Sequence, residues 1–298
     1  MLQPKTLKKY SGIDGEYPLP HIPLESTSFS DHYTNIIRMY ESSFDYYGYL
    51  PSFHVGYDYA TIKLINLALP HGFSSKQSLL DLCCGCGTTL IYLGNNFHFD
   101  IIGVDLVKSN VNESKRKITQ NNLDSRIRVL QKNVLDLDTG IGKQDIIFSE
   151  DSFSHIHDRK KLFQICYDLL NPQGLLVFSD LIKTENISDT ELDKQYVAWC
   201  LYQIESYASY LDLFIKSNFK VLEAQDDLGI KLLGYHIQKD KERGDIDPRE
   251  YLSIFKIYEK ELVKKWGRRI YELRKERLMT YKHIWNRRLD YAFFILSK

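Results

Sequence analysis

Leu79-Leu80-Asp81-Leu82-Cys83-Cys84-Gly85-Cys86-Gly87-Thr88-Thr89 is an apolar run that ends in an acid, enters a glycine-punctuated turn and leaves into a helical pattern. Eighteen residues after Gly87 a second apolar run, Ile101-Ile102-Gly103-Val104-Asp105, also closes on an acid. A strand that stops at a Gly-x-Gly turn lets a ligand approach the backbone, because glycine has no side chain in the way. An acid at the tip of the following strand is placed to hydrogen-bond the two hydroxyls of a ribose.

The ligand that fits is a nucleoside-containing cofactor, and two features separate its candidates. A dinucleotide fingerprint reads G-x-G-x-x-G and aims a helix N-terminus at a pyrophosphate. Here Leu90 stands where the third glycine would be, and Asp81 lies four residues before Gly85. A carboxylate at the turn repels a pyrophosphate but suits a ligand bearing an ammonium and a sulfonium. That ligand is S-adenosylmethionine, with S-adenosylhomocysteine as the product of its use. The arrangement resembles motif I of the class I S-adenosylmethionine-dependent methyltransferases, D-x-x-x-G-x-G, here Asp81 to Gly87. The resemblance implies that the glycine turn packs against the cofactor and that the acid organises its amino-acid end.

Outward from this core the pattern alternates. Strands are expected over 79–83, 100–105, 127–131, 144–149 and 175–178, with helices over 88–95, 108–121 and 158–170 and a turn at Asn171-Pro172-Gln173-Gly174. Repeated strand–helix units imply a parallel sheet with helices on both faces. The fold class expected is α/β: a doubly wound, mostly parallel, seven-stranded, Rossmann-like methyltransferase sheet with an N-terminal helical lid and a helical C-terminal region. Three parts follow: an arm and lid over 1–75, the cofactor-binding core over 76–182, and substrate-side helices with the final strands over 183–298. Helices are expected over 58–70, 189–206 and 207–216, strands over 219–224 and 291–296, and long helices over 248–288.

Ligands in such sheets sit beyond the C-terminal ends of the strands. The cofactor-binding candidates are therefore Asp81, Cys83, Gly85, Gly87, Asp105, Leu106, Asn133, Val134 and Glu150. The fourth strand leads into Ser149-Glu150-Asp151-Ser152-Phe153-Ser154-His155-Ile156. Asp151 and His155 are four apart, so a helical turn would bring them onto one face. A histidine so placed can take a proton from a nucleophile at neutral pH. In the alternative reading Asp151 caps a helix start and His155 merely packs. S-x-D-x-x-x-H-I followed by D-R-x-x-L-F, from Ser149 to Phe163, resembles the small-molecule methyltransferases acting on glycine, sarcosine or dimethylglycine, and on phosphoethanolamine. That likeness implies that His155 works with a tyrosine of the N-terminal lid, Tyr33 or Tyr40, with Tyr47 a third candidate. The aromatic segment ending His54-Val55-Gly56-Tyr57 is similar to the lid itself. Two positions depart from the pattern: Asn133 stands where many members carry an acid, and Cys83 where the family carries a glycine. Asparagine can still accept from the adenine amino group through its carbonyl oxygen.

The bulk composition bounds the partners. In 298 residues Lys+Arg and Asp+Glu balance at 39 each, without the basic excess usual in nucleic-acid binders. The Lys and Arg of 248–288 are interleaved with Glu259, Glu261, Glu272 and Glu276, as on a solvated helix face. The 21 tyrosines read as half-buried packing with polar tips rather than a dedicated pocket. Cys83-x-x-Cys86 has no second Cys/His pair to complete a tetrahedral metal set; small residues where the backbone meets a ligand are the simpler reading, and no metal is expected. The odd cysteine count, five, and a first segment without the apolar core of a leader point to a reducing cytoplasm. No run approaches a membrane span. The expected partner is a small-molecule methyl acceptor, most simply an amine nitrogen, with an oxygen or carbon acceptor as the alternative. The expected assembly is a monomer or homodimer, without nucleic acid or membrane. A nicotinamide-type oxidoreductase would need the third glycine and a Tyr-x-x-x-Lys pair; a non-catalytic module on the same fold would bind the cofactor without turnover.

Overall fold

The computed structural model describes residues 57–242 and 248–298. The strands are β1 (Ser78–Leu82), β2 (Asp100–Asp105), β3 (Ile127–Gln131), β4 (Gln144–Glu150), β5 (Leu170–Lys183), β6 (Lys220–Gln225) and β7 (Leu289–Ser297). They form one sheet in the order β3-β2-β1-β4-β5-β7-β6. The pairs from β3 to β5 are parallel, and β7 runs antiparallel between β5 and β6. This is the mostly parallel, doubly wound α/β sheet expected from the alternation. Chain order reverses at β1 and β4, which places a ligand crevice over their C-terminal ends.

Strand side chains alternate between faces, and here they sort into two apolar layers. Leu79, Ile101, Val129, Ile146, Phe148 and Val177 face one layer. It is covered by α1 (Tyr57–Ala68), α2 (Thr88–Asn96), α3 (Lys108–Gln120) and α7 (Gly229–Glu242). Leu80, Leu82, Ile102, Ile147, Leu176 and Phe178 face the other, covered by α4 (Arg159–Leu169) and α6 (Tyr207–Lys216). Burial on both faces explains why β1 and β4 read as near-continuous apolar runs.

The remaining helices are α5 (Asp189–Trp199), α8 (Pro248–Ile257), α9 (Glu259–Trp266) and α10 (Arg268–Trp285). The helix expected over 189–206 stops at Trp199, where Cys200 turns left-handed at φ 51°. The released backbone then docks on the Ser154 carbonyl through the amides of Tyr202 and Gln203, at 2.9 and 3.2 Å. Helix α7 was not foreseen. The expected turn at Asn171–Gly174 is instead an irregular stretch inside β5, where the register against β4 shifts and Gln173 adopts φ 64°. The charges of the C-terminal helices pair along those helices, Arg268 with Glu259 and Glu272, and Lys275 with Glu272. Among the described residues no helix is long and apolar enough to cross a membrane.

Candidate functional site

Three left-handed residues in five build the first turn: Cys83 at φ 59°, Gly85 at 53° and Gly87 at 74°. The turn is pinned by the Cys84 amide on the Val104 carbonyl and the Gly87 amide on the Cys84 carbonyl, each at 3.0 Å. The two glycines differ in what lies beyond them. Among the described residues a Cβ on Gly85 would meet nothing within 4 Å, whereas one on Gly87 would stand 2.8 Å from Ser114 Oγ of α3. Gly85 thus leaves open space over the turn, and Gly87 lets α2 start against α3. Gly103 of β2 serves a similar packing purpose, since its Cβ would strike Leu90 and Cys84. The left-handed conformation of Cys83 accounts for a glycine preference at that position. Burial pushes the thiols of Cys83 and Cys84 well up and that of Cys86 to about 11, so all three are neutral at physiological pH. The five cysteines are free thiols.

Asp105 ties the tips of β1 and β2 together. Its Oδ2 accepts from the Gly85 amide at 2.9 Å; its Oδ1 accepts from the Val107 amide at 2.8 Å and Asn110 Nδ2 at 3.2 Å. Burial raises its pKa, and these donors oppose the rise. Leu106 follows half-buried, with Gln131 Nε2 on its carbonyl at 3.3 Å. Asn133 caps the turn after β3, its side-chain oxygen accepting from the Leu135 amide at 3.0 Å, with Val134 buried beside it. That oxygen keeps a second lone pair.

Asp81, Asp105 and Glu150 share one face of the sheet. Asp81 pairs in register with Gly103 and Phe148, two residues before Asp105 and Glu150 respectively, so the period of two brings all three acids to the face under α1 and α2. Glu150 is held by two hydroxyls the sequence reading missed. Thr61 of α1 donates to both its carboxylate oxygens, at 2.9 and 3.1 Å, and Thr89 of α2 donates to one at 2.8 Å. Asp81 is 3% exposed, and its Oδ2 is buried without a hydrogen-bond partner among the described residues. Burial, and then the negative charges of Glu150 and Asp105, hold its pKa well above the carboxylate range.

The segment after β4 departs from both readings of it. Asp151 is left-handed at φ 49°, Ser152 leads a single 3₁₀ turn over Phe153–His155, and the cap of α4 is Asp158. Asp151 and His155 therefore share no helical face, and they bond to different parts of the chain. Tyr291 of β7 donates to Asp151 Oδ2 at 3.1 Å, and His155 Nδ1 lies 3.1 Å from the Cys200 carbonyl. A carbonyl only accepts, so Nδ1 carries the proton and Nε2 is the basic nitrogen. Burial, with the charges of Asp180 and Glu150, keeps Asp151 well above the usual carboxylate range. Asp180 of β5 is fully buried, accepts from Tyr210 of α6, and is pushed up to about 6 by burial against that donor and Arg159. Tyr33, Tyr40 and Tyr47 lie outside the described residues. Tyr291, Asp180, Thr61 and Thr89 carry no local motif; only the tertiary fold brings them to the crevice.

Buried acids beside one another are costly unless a positive group joins them. An orphaned carboxyl oxygen, two negative neighbours and open space over Gly85 suit the ammonium and sulfonium of S-adenosylmethionine. Residues 79–174 match the family model described as a methyltransferase domain. The phosphoethanolamine N-methyltransferase of Plasmodium falciparum is 26% identical over 155 residues, covering 51% of this chain and 57% of that protein. The chain spans about half the length of the curated relatives it matches, and O-methyltransferases stand among them. A structure from Galdieria sulphuraria described as a sarcosine dimethylglycine methyltransferase superposes with a TM-score of 0.69 at 18% identity, over 87% of this chain and 97% of that one. Phosphoethanolamine N-methyltransferase 2 of Haemonchus contortus, in complex with phosphomonomethylethanolamine and S-adenosylhomocysteine, gives 0.63 at 16% identity, over 92% of this chain and 60% of that one. The turn, the acids and these likenesses agree: residues 79–174 form a methyltransferase domain, and the chain resembles the S-adenosylmethionine-dependent phosphoethanolamine and sarcosine N-methyltransferase group.

Proposed function

We propose that the protein transfers a methyl group from S-adenosylmethionine to the amine nitrogen of a small molecule. The observation that carries the reading is the unpartnered, buried Oδ2 of Asp81, set among acids beside the open space over Gly85. Asp81, Gly85, Asp105 and Glu150 would hold the cofactor, Leu106, Asn133 and Val134 would flank its base, and Gly87 would shape the turn beneath it. When bound, the cofactor supplies a methyl group on a positively charged sulfur. The chain's own contribution is to hold the partners in line and exclude water.

A hydroxyl acceptor is the second reading, and His155 favours it. With Nδ1 committed to the Cys200 carbonyl, Nε2 is the nitrogen that would receive the acceptor's proton. An amine needs only to arrive deprotonated; a hydroxyl needs the base. Asp151, on the same segment, would face the acceptor. A panel of amines, phenols, hydroxy acids and carboxylates assayed with methyl-labelled cofactor decides between them. Label found on amines supports the first reading; label on hydroxyls alone would replace it with the second; binding of the cofactor without transfer to any acceptor would favour a binding module.

A further inference from the structure

The hydroxyls around the half-buried Glu150 are arranged in an unusual way for an acid. They come from two different helices, α1 and α2, and both meet one carboxylate. Thr61 is only 4% exposed. Its helix packs on the sheet through Ala60, Leu64 and Ile65, on the same face as Asp81 and Glu150. The carboxylate of Glu150 is thereby fixed next to Asp81, although the two repel each other. Satisfying a half-buried acid while leaving an oxygen of its buried neighbour Asp81 unpartnered is poor design for stability alone. It is good design for a ligand with several donors on one positive centre. An ammonium has three N–H donors, and two carboxylates on adjacent strands can divide them.

We propose that Thr61 and Thr89 position Glu150 as the second carboxylate of a receptor for the cofactor's α-ammonium, Asp81 being the first, and that the Thr61 bond couples the seating of α1 to occupation of that receptor. The inference rests on the cofactor reading above and names the part of the ligand that these residues meet. Glu150 and Asp81 touch the ligand; Thr61 and Thr89 act through Glu150. The consequence is directional. Losing the Thr61 hydroxyl should weaken ligands that carry the amino-acid end and spare ligands that lack it. Ligand binding should in turn protect α1.

The test uses calorimetric titration of the full chain with two probes. S-adenosylhomocysteine carries the ammonium; 5′-methylthioadenosine lacks the whole amino-acid end. Thr61→Val and Glu150→Gln should each weaken S-adenosylhomocysteine about 10- to 100-fold, the range of a lost bond to a charged group, with 5′-methylthioadenosine changed less than threefold. Thr61→Ser, which keeps the hydroxyl, should restore affinity. Amide hydrogen exchange over 57–68 should slow with S-adenosylhomocysteine in the wild type and not in Thr61→Val. Equal weakening of both probes, or unchanged binding of S-adenosylhomocysteine in both variants, would overturn the clamp. Absence of S-adenosylhomocysteine binding by the wild type would instead overturn the cofactor reading beneath it.

Discussion

Gly85 and Gly87 stand two residues apart in one turn, yet an alanine at each should fail for a different reason. At Gly85 the new methyl enters open space, so Gly85→Ala should fold, with about 1 kcal/mol of left-handed backbone strain, and lose S-adenosylhomocysteine affinity. At Gly87 the methyl meets Ser114 at 2.8 Å, partly against its backbone, so Gly87→Ala should destabilise the fold by about 1–3 kcal/mol through overpacking. Urea denaturation beside calorimetric titration separates the two; the reverse pattern would mean that Gly87, not Gly85, faces the ligand. The sequence shows both glycines but not this division, because the difference lies in what α3 places against the turn. Asp105 carries the same lesson. Its position at a strand tip is legible; its bonds to the Gly85 and Val107 amides are not. An alanine there would strip structural partners from the turn as well as any ligand contact, and Asp105→Asn is the cleaner probe.

At the scale of elements, β1 to β4 and α2 to α4 fall within about one residue of expectation, since apolar runs and glycine turns mark their ends. The discrepancies gather where a non-glycine residue turns left-handed. Cys200 ends α5 early, Gln173 bends β5, and Asp151 redirects the chain after β4; none carries the glycine that announces such a turn. The break at Cys200 also sets His155, because its carbonyl lies against Nδ1 of that ring. His155→Ala should lower turnover about 10²–10⁴-fold with a hydroxyl acceptor, less with an amine acceptor that arrives deprotonated, and leave cofactor affinity unchanged. Steady-state kinetics with calorimetry reads this, and full activity in the variant would remove His155 from the reaction.

For the molecule as a whole, buried acids set the pH dependence. Asp180 titrates near 6 in the folded chain, against about 3.9 when unfolded. A raised folded pKa means that its contribution is fully present below about pH 4 and is lost as pH rises through about 6. The loss is roughly 3 kcal/mol by linkage. Asp180→Asn keeps an acceptor for the Tyr210 hydroxyl and removes the ionisation. Its stability relative to wild type should therefore rise by that order between about pH 4 and 7; parallel wild-type and variant stabilities across that range would show that folding leaves the pKa of Asp180 unchanged. The α/β class and the mostly parallel sheet were legible from the alternation of strands and helices. The pairing of Asp180 with Tyr210, and of Asp151 with Tyr291, joins residues 30 and 140 apart in sequence, and no local pattern encodes contacts of that range. The acids at the tips of β1, β2 and β4 should receive a positively charged nucleoside cofactor. Titration of the purified chain with S-adenosylhomocysteine, wild type against Asp81→Asn, tests it most directly. Saturable one-to-one binding is expected, adding about 1.4 kcal/mol of stability at ten times the dissociation constant and weakened at least tenfold in a folded Asp81→Asn. No binding by the wild type, or equal affinity in the variant, would contradict it.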